Sequence, residues 1–85
     1  MQIKLLYFAR LRERFELDGE DLDVPRGVQT VAGLLSHLAG RGDVWADELA
    51  SGRVFRVALD QELVDFSALL HDGAEVAVFP PVTGG

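Results

Sequence analysis

The sequence predicts an α+β domain, a mixed β-sheet with one main helix laid across one of its faces. Two observations predict it. Several short runs alternate their side chains between two faces, the period of a strand. One run, beginning at Val31, instead repeats apolar residues at helical spacing, and one helix can cover only one face of such a sheet.

The elements follow in order. Residues 2–8 (QIKLLYF) read as a strand, with Ile3, Leu5 and Tyr7 on one face and Lys4, Leu6 and Phe8 on the other. Residues 9–15 (ARLRERF) are charged and lack β-branched side chains, which suits a short helix or turn. Residues 20–24 (EDLDV) alternate as a second strand. Pro25-Arg26-Gly27 marks a turn, and Thr30 is placed as an N-cap. Val31, Leu34, Leu35 and Leu38 form the apolar stripe of the helix, which Gly40 and Gly42 should end. Val44, Trp45 and Leu49 suggest an irregular or single-turn segment packed back on the core. Residues 53–59 (RVFRVAL) are a third strand, and Asp60-Gln61 turns into a short return strand at Leu63-Val64. His71-Asp72-Gly73 turns the chain again before a last strand at 74–79 (AEVAVF).

The order β-β-α-β-β-β is that of the β-grasp, or ubiquitin-like, fold. Its first and last strands lie side by side and parallel. The helix should then cover Ile3, Leu5, Tyr7, Phe55, Val57, Leu59, Val76 and Val78. The open face should carry Lys4, Leu6, Phe8, Val54, Arg56, Ala58, Glu75, Ala77 and Phe79. Parallel pairing brings Phe8 and Phe79 together at the end where the chain leaves the sheet, a candidate docking patch.

Composition narrows the function. At 85 residues and 48% hydrophobic, the chain suits one domain that buries about 60–65% of its unfolded surface. The absence of cysteine excludes disulfides, thiolate metal sites and cysteine catalysis within the chain. A net charge of −6 argues against nucleic acid and favours basic protein partners. No apolar run approaches the ~20 residues of a membrane span, and nothing has the layout of a signal peptide. A cytoplasmic protein with no membrane association is expected.

The closing FPPVTGG carries the chemistry. Pro80 and Pro81 fix φ and remove two backbone donors, so they end the last strand and project Val82, Thr83, Gly84 and Gly85 as a stiff arm. Residues 80–85 can reach up to ~20 Å. Two side-chain-free residues can thread a channel too narrow for others. Adenylation would turn the Gly85 carboxylate into an anhydride open to a sulfur or nitrogen nucleophile. The chain is thus expected to divide into a β-grasp domain at 1–79 and an extended tail at 80–85.

The chain resembles the small subunits of molybdopterin synthase, the sulfur carriers of molybdenum cofactor biosynthesis. Residues 3–13 (IKLLYFARLRE), 57–64 (VALDQELV) and above all 72–85 (DGAEVAVFPPVTGG) carry the likeness. Asp60 stands where the family often has Asn, a change expected to matter little because both suit turns. The resemblance implies that an ATP-dependent activating enzyme adenylates Gly85 and that sulfur then replaces the adenylate, giving a thiocarboxylate. The loaded tail would enter the large synthase subunit and give its sulfur to cyclic pyranopterin monophosphate. Two carriers are needed for the two sulfurs of the dithiolene, within a heterotetramer. The catalytic side chains would belong to the large subunit, so the chain alone would not be an enzyme. No permanently bound cofactor is implied, ATP being used by the activating enzyme. Phe8, Leu63 and Phe79 fall at positions that meet partners in the family, and Leu63 rests on the resemblance alone.

The remaining constellations read as structural. His37 and His71 have no ligand-spaced companions, so no metal site is expected. Glu16, Asp18, Glu20, Asp21 and Asp23 lack a calcium-loop spacing and read as a solvated edge. Ser36, Ser51 and Ser67 have no nucleophile context, and Trp45 and Phe55 read as core. Three alternatives stay open: a sulfur carrier for another product such as the thiazole of thiamine, a ubiquitin-like modifier joined through Gly85, and an interaction domain with an idle tail.

Overall fold

The computed structural model describes residues 1–49 and 55–80. Val54, Ser51 and the tail positions Pro81, Val82, Thr83, Gly84 and Gly85 lie outside the described residues. The elements run β1 (Gln2–Tyr7), α1 (Ala9–Phe15), β2 (Gly19–Asp23), α2 (Val31–Ala39), α3 (Asp43–Glu48), β3 (Arg56–Leu59), β4 (Glu62–Val64) and β5 (Glu75–Phe79). They form one sheet in the order β2-β1-β5-β3-β4. β1 and β5 are parallel neighbours at its centre, and the other pairs are antiparallel. This is the expected β-grasp arrangement.

α2 forms for the reasons its sequence carries. The Oγ1 of Thr30 accepts a hydrogen bond from the Gly33 N–H at 3.1 Å, capping the first turn. Val31, Leu34, Leu35 and Leu38 are all buried against the sheet. Each such side chain gains about 1.5–3 kcal/mol on leaving water. Opposite them lie Ile3, Leu5, Tyr7, Val57, Val76 and Val78, also buried. Phe55 and Leu59, read as lying under the helix, are only half-buried: Phe55 precedes β3 and stacks on Phe66, and Leu59 is the last residue of the strand.

Two short helices add to the one main helix. Residues 9–15 are helical, and residues 43–48 form α3 where an irregular or single-turn segment was expected. Gly40 keeps right-handed helical backbone, and the left-handed break falls at Gly42, whose φ is 81°. β2 starts at Gly19, one residue before the expected 20, because Gly19 pairs with Leu6. A Cβ there would sit 2.4 Å from the Leu5 carbonyl oxygen, so only glycine lets the two strands close.

Aromatic and ionic contacts hold the short helices. Phe15 stacks on Trp45 with centroids 3.8 Å apart, and Tyr7 meets both rings edge-on. Trp45 itself is half-buried, with the Arg41 guanidinium 4.4 Å above its ring. The Tyr7 hydroxyl donates to Glu20 at 2.8 Å, and Arg41 donates to both oxygens of the same carboxylate. Burial, and then the bond to Glu20, pushes the Tyr7 hydroxyl pKa far up. The Arg41 fork holds Glu20 below the usual carboxylate range. Glu20 therefore belongs to a built ion pair, not to a solvated acidic edge. Glu48 is buried at the other side of α3, where it accepts from Arg10 and Arg14 of α1.

Candidate functional site

The open face of the sheet is built in three rows that the strand registers define. The first row sets Lys4 between Asp21 of β2 and Glu75 of β5. The second joins Gly19, Leu6, Ala77, Ala58 and Leu63 across all five strands. It is apolar throughout. Ala58 and Ala77, read as open-face residues, prove buried: they are small, lie on inner strands and are flanked by Leu6 and Leu63. Leu63, at the edge, is 64% exposed.

The third row stands where the chain leaves the sheet. The Phe8 and Phe79 rings stack with centroids 4.8 Å apart and planes 9° from parallel. The sequence expected this meeting, and the parallel β1–β5 pair produces it, since Tyr7 lies opposite Val78. Ala9, next to Phe8, has φ 51°, a left-handed conformation costly for a residue with a Cβ. Arg56 of β3 pairs in register with Phe79 on its other side and is exposed. Pro80 follows directly and is half-buried. The row of small residues and Arg56 escaped the sequence reading as features of a site. The alternation contains them, but only the register lines them up.

The opposite end of the face holds a polar clasp. His71 Nε2 is 2.6 Å from an Asp60 carboxylate oxygen, and Nδ1 is 3.0 Å from the Asp72 carbonyl. Both partners accept, so the doubly protonated ring fits best, and the bond to Asp60 raises the His71 pKa. Asp60 also accepts from the Glu75 N–H at 3.0 Å, which lowers its own pKa, and returns its N–H to the Glu75 carbonyl. Asp60 thus does more than shape a turn, because an Asn would bring no charge to His71. His37 is exposed on α2.

A shallow hollow of about 490 Å³ beside Leu63 is lined by Val64, Asp65, Ser67 and Ala68. It gathers no nucleophile–base pair. Among the described residues no group of three or more His, Asp or Glu is placed to hold a metal ion. No helix there is long and apolar enough to cross a membrane. The apolar row, exposed at Leu63, and the stacked rings, exposed at Phe8, form a surface of the kind that suits contact with another protein.

Residues 5–85 match the ThiS family. The chain belongs to that family. Its likeness to the molybdopterin synthase small subunits holds over full length: it is 45% identical over 83 residues to the molybdopterin synthase sulfur carrier subunit of Escherichia coli strain K12, across 98% of this chain and 99% of that one. Among solved structures, the putative molybdopterin converting factor subunit 1 of Pyrococcus furiosus superposes with a TM-score of 0.78 at 30% identity, covering 96% of this chain and 99% of that one. The small archaeal modifier protein SAMP1 of Haloferax volcanii superposes with a TM-score of 0.80 at 27% identity over 100% of both chains.

Proposed function

We propose that this ThiS-family chain is the sulfur carrier subunit of a molybdopterin synthase and that Gly85 carries the sulfur. The observation that carries the reading is the 45% identity to the Escherichia coli sulfur carrier subunit across nearly the whole of both chains. The family match running through residue 85 supports a working tail. The stacked Phe8 and Phe79, with the apolar row beside them, supply a docking face at its base.

The chemistry proceeds in balanced steps. A Gly85 carboxylate oxygen attacks the α-phosphorus of ATP on an activating enzyme, releasing pyrophosphate. Sulfide attacks the carbonyl carbon of the acyl adenylate, AMP departs, and a thiocarboxylate remains. In the large synthase subunit its sulfur attacks an oxygen-bearing carbon of cyclic pyranopterin monophosphate, and the C–O bond there breaks, the oxygen leaving as water or with the opened phosphate ester. Water then cleaves the acyl–sulfur bond, leaving sulfur on the pterin and restoring the carboxylate. Two carriers serve one dithiolene, consistent with a heterotetramer. The chain supplies tail and face, the large subunit supplies the catalytic side chains, and the work is cytoplasmic.

Reconstitution tests this. Loaded chain plus large subunit should convert cyclic pyranopterin monophosphate to molybdopterin, and a variant lacking Gly85 should give none. Turnover by that variant would refute the reading. The likeness to SAMP1 favours a second reading, a modifier joined through Gly85 to lysines of other proteins. It predicts Gly85–lysine conjugates and no sulfur transfer.

A further inference from the structure

The open face is electrically graded along the strands, and among the described residues the gradient ends in the Arg56 guanidinium beside Phe79. At the far end, Lys4 stands between Asp21 and Glu75, and beyond Glu75 lies Asp60 with His71 bound to it. In the middle lies the apolar row from Leu6 to Leu63. At the exit, Arg56 is exposed beside Phe79 in a chain of net charge −6. Arg10, Arg14 and Arg41 are each bound to a carboxylate of this chain. Among the described residues, no carboxylate pairs with Arg56.

We infer that Arg56 is a specificity-determining docking residue, and that the protein receiving the tail presents a carboxylate to it at the rim of the hollow that takes Phe8 and Phe79. This inference rests on the sulfur-carrier reading. A guanidinium binds a carboxylate through two parallel bonds, so it fixes an angle as well as a contact. The apolar surface next to Arg56 excludes water once covered, which strengthens the pair. Arg56 is exposed on the sheet face beside Phe79, where an anion fixed on the surface of a docking protein can reach it. The stacked rings can rotate about their contact; a directional pair beside them sets the one docking angle that aims the tail. A partner with a basic or apolar group at that rim is rejected.

The test is binding of the full chain to the large synthase subunit of the same organism, followed kinetically at low and high salt. Arg56→Glu should weaken binding at least tenfold at low salt, mainly through slower association, with the gap narrowing as salt rises. Arg56→Lys should lose part of the affinity, because it keeps the charge but not the paired bonds, and Arg56→Leu should fall between Arg56→Lys and Arg56→Glu. Phe79→Ala is the control for the face itself. If Arg56→Glu and Arg56→Leu bind within twofold of the natural chain while Phe79→Ala binds weakly, the inference is overturned and the docking face stands. If neither position matters, the face is not the contact surface and the inference falls with it. Thiocarboxylate formation at Gly85 in the natural chain reports separately on the carrier reading.

Discussion

Phe8 and Phe79 stack face to face, 4.8 Å between centroids, at the one place where the first and last strands end together. Phe8 is 38% exposed and Phe79 is half-buried. Rings that stay in water when the protein is folded contribute little to folding and much to an interface. Phe79→Ala and Phe8→Glu should therefore weaken partner binding by at least tenfold, while the thermal midpoint falls only a few degrees. Calorimetric titration against the large subunit, with melting curves of the same variants, checks both halves.

Glu48 is the one buried charged side chain among the described residues, and it ties α3 to α1 through Arg10 and Arg14. Glu48→Ala removes the shared acceptor. The two guanidiniums are partly exposed and can rehydrate, which limits the loss to about 1–3 kcal/mol. In a domain of this size that lowers the midpoint by about 5–15 °C. Glu48→Gln should lose less, and a calorimetric melt distinguishes the two.

Gly19→Ala should cost about 1–3 kcal/mol, because the new Cβ meets the Leu5 carbonyl oxygen at 2.4 Å and backbone must shift to admit it. Chemical denaturation would register this as a lower midpoint with an unchanged slope.

The His71–Asp60 pair gives stability a pH dependence with a definite sign. His71 is raised from its ordinary 6.5 by the bond to Asp60, so its contribution is complete below pH 6.5 and is lost as pH rises through the raised value. Asp60 is lowered from 3.8 by the Glu75 N–H and by His71, so its contribution is present above pH 3.8 and is lost as pH falls through the lowered value. The pair therefore helps most between those limits. His71→Gln should flatten the alkaline side of the stability profile, and denaturant midpoints from pH 5 to 9 would reveal it.

Much of this was legible in the sequence, for physical reasons. The stripe Val31, Leu34, Leu35, Leu38 and the Thr30 cap specify α2 because both are local signals. The alternation of Ile3, Leu5 and Tyr7 specifies the buried face of β1. The meeting of Phe8 and Phe79 followed once the strand order implied parallel pairing. What stayed hidden depends on distant partners. α3 has only Val44, Trp45 and the exposed Ala46 as apolar residues, and its support comes from Phe15, Arg10 and Arg14 elsewhere in the chain. Glu20 and Glu48 look like surface acids until arginines far away in sequence are brought to them. His71 looks like a lone turn residue until β3 and β5 deliver Asp60 to it.

The central claim is that Gly85 carries sulfur, and the intact mass of the chain tests it most directly. The chain is incubated with ATP, sulfide and its activating enzyme, then fragmented to locate any change. The account predicts the mass gain of one oxygen replaced by sulfur, confined to Gly85, and its absence when ATP is omitted. An unchanged mass with an enzyme of proven activity would contradict the account and turn attention to conjugates between Gly85 and lysines of other proteins.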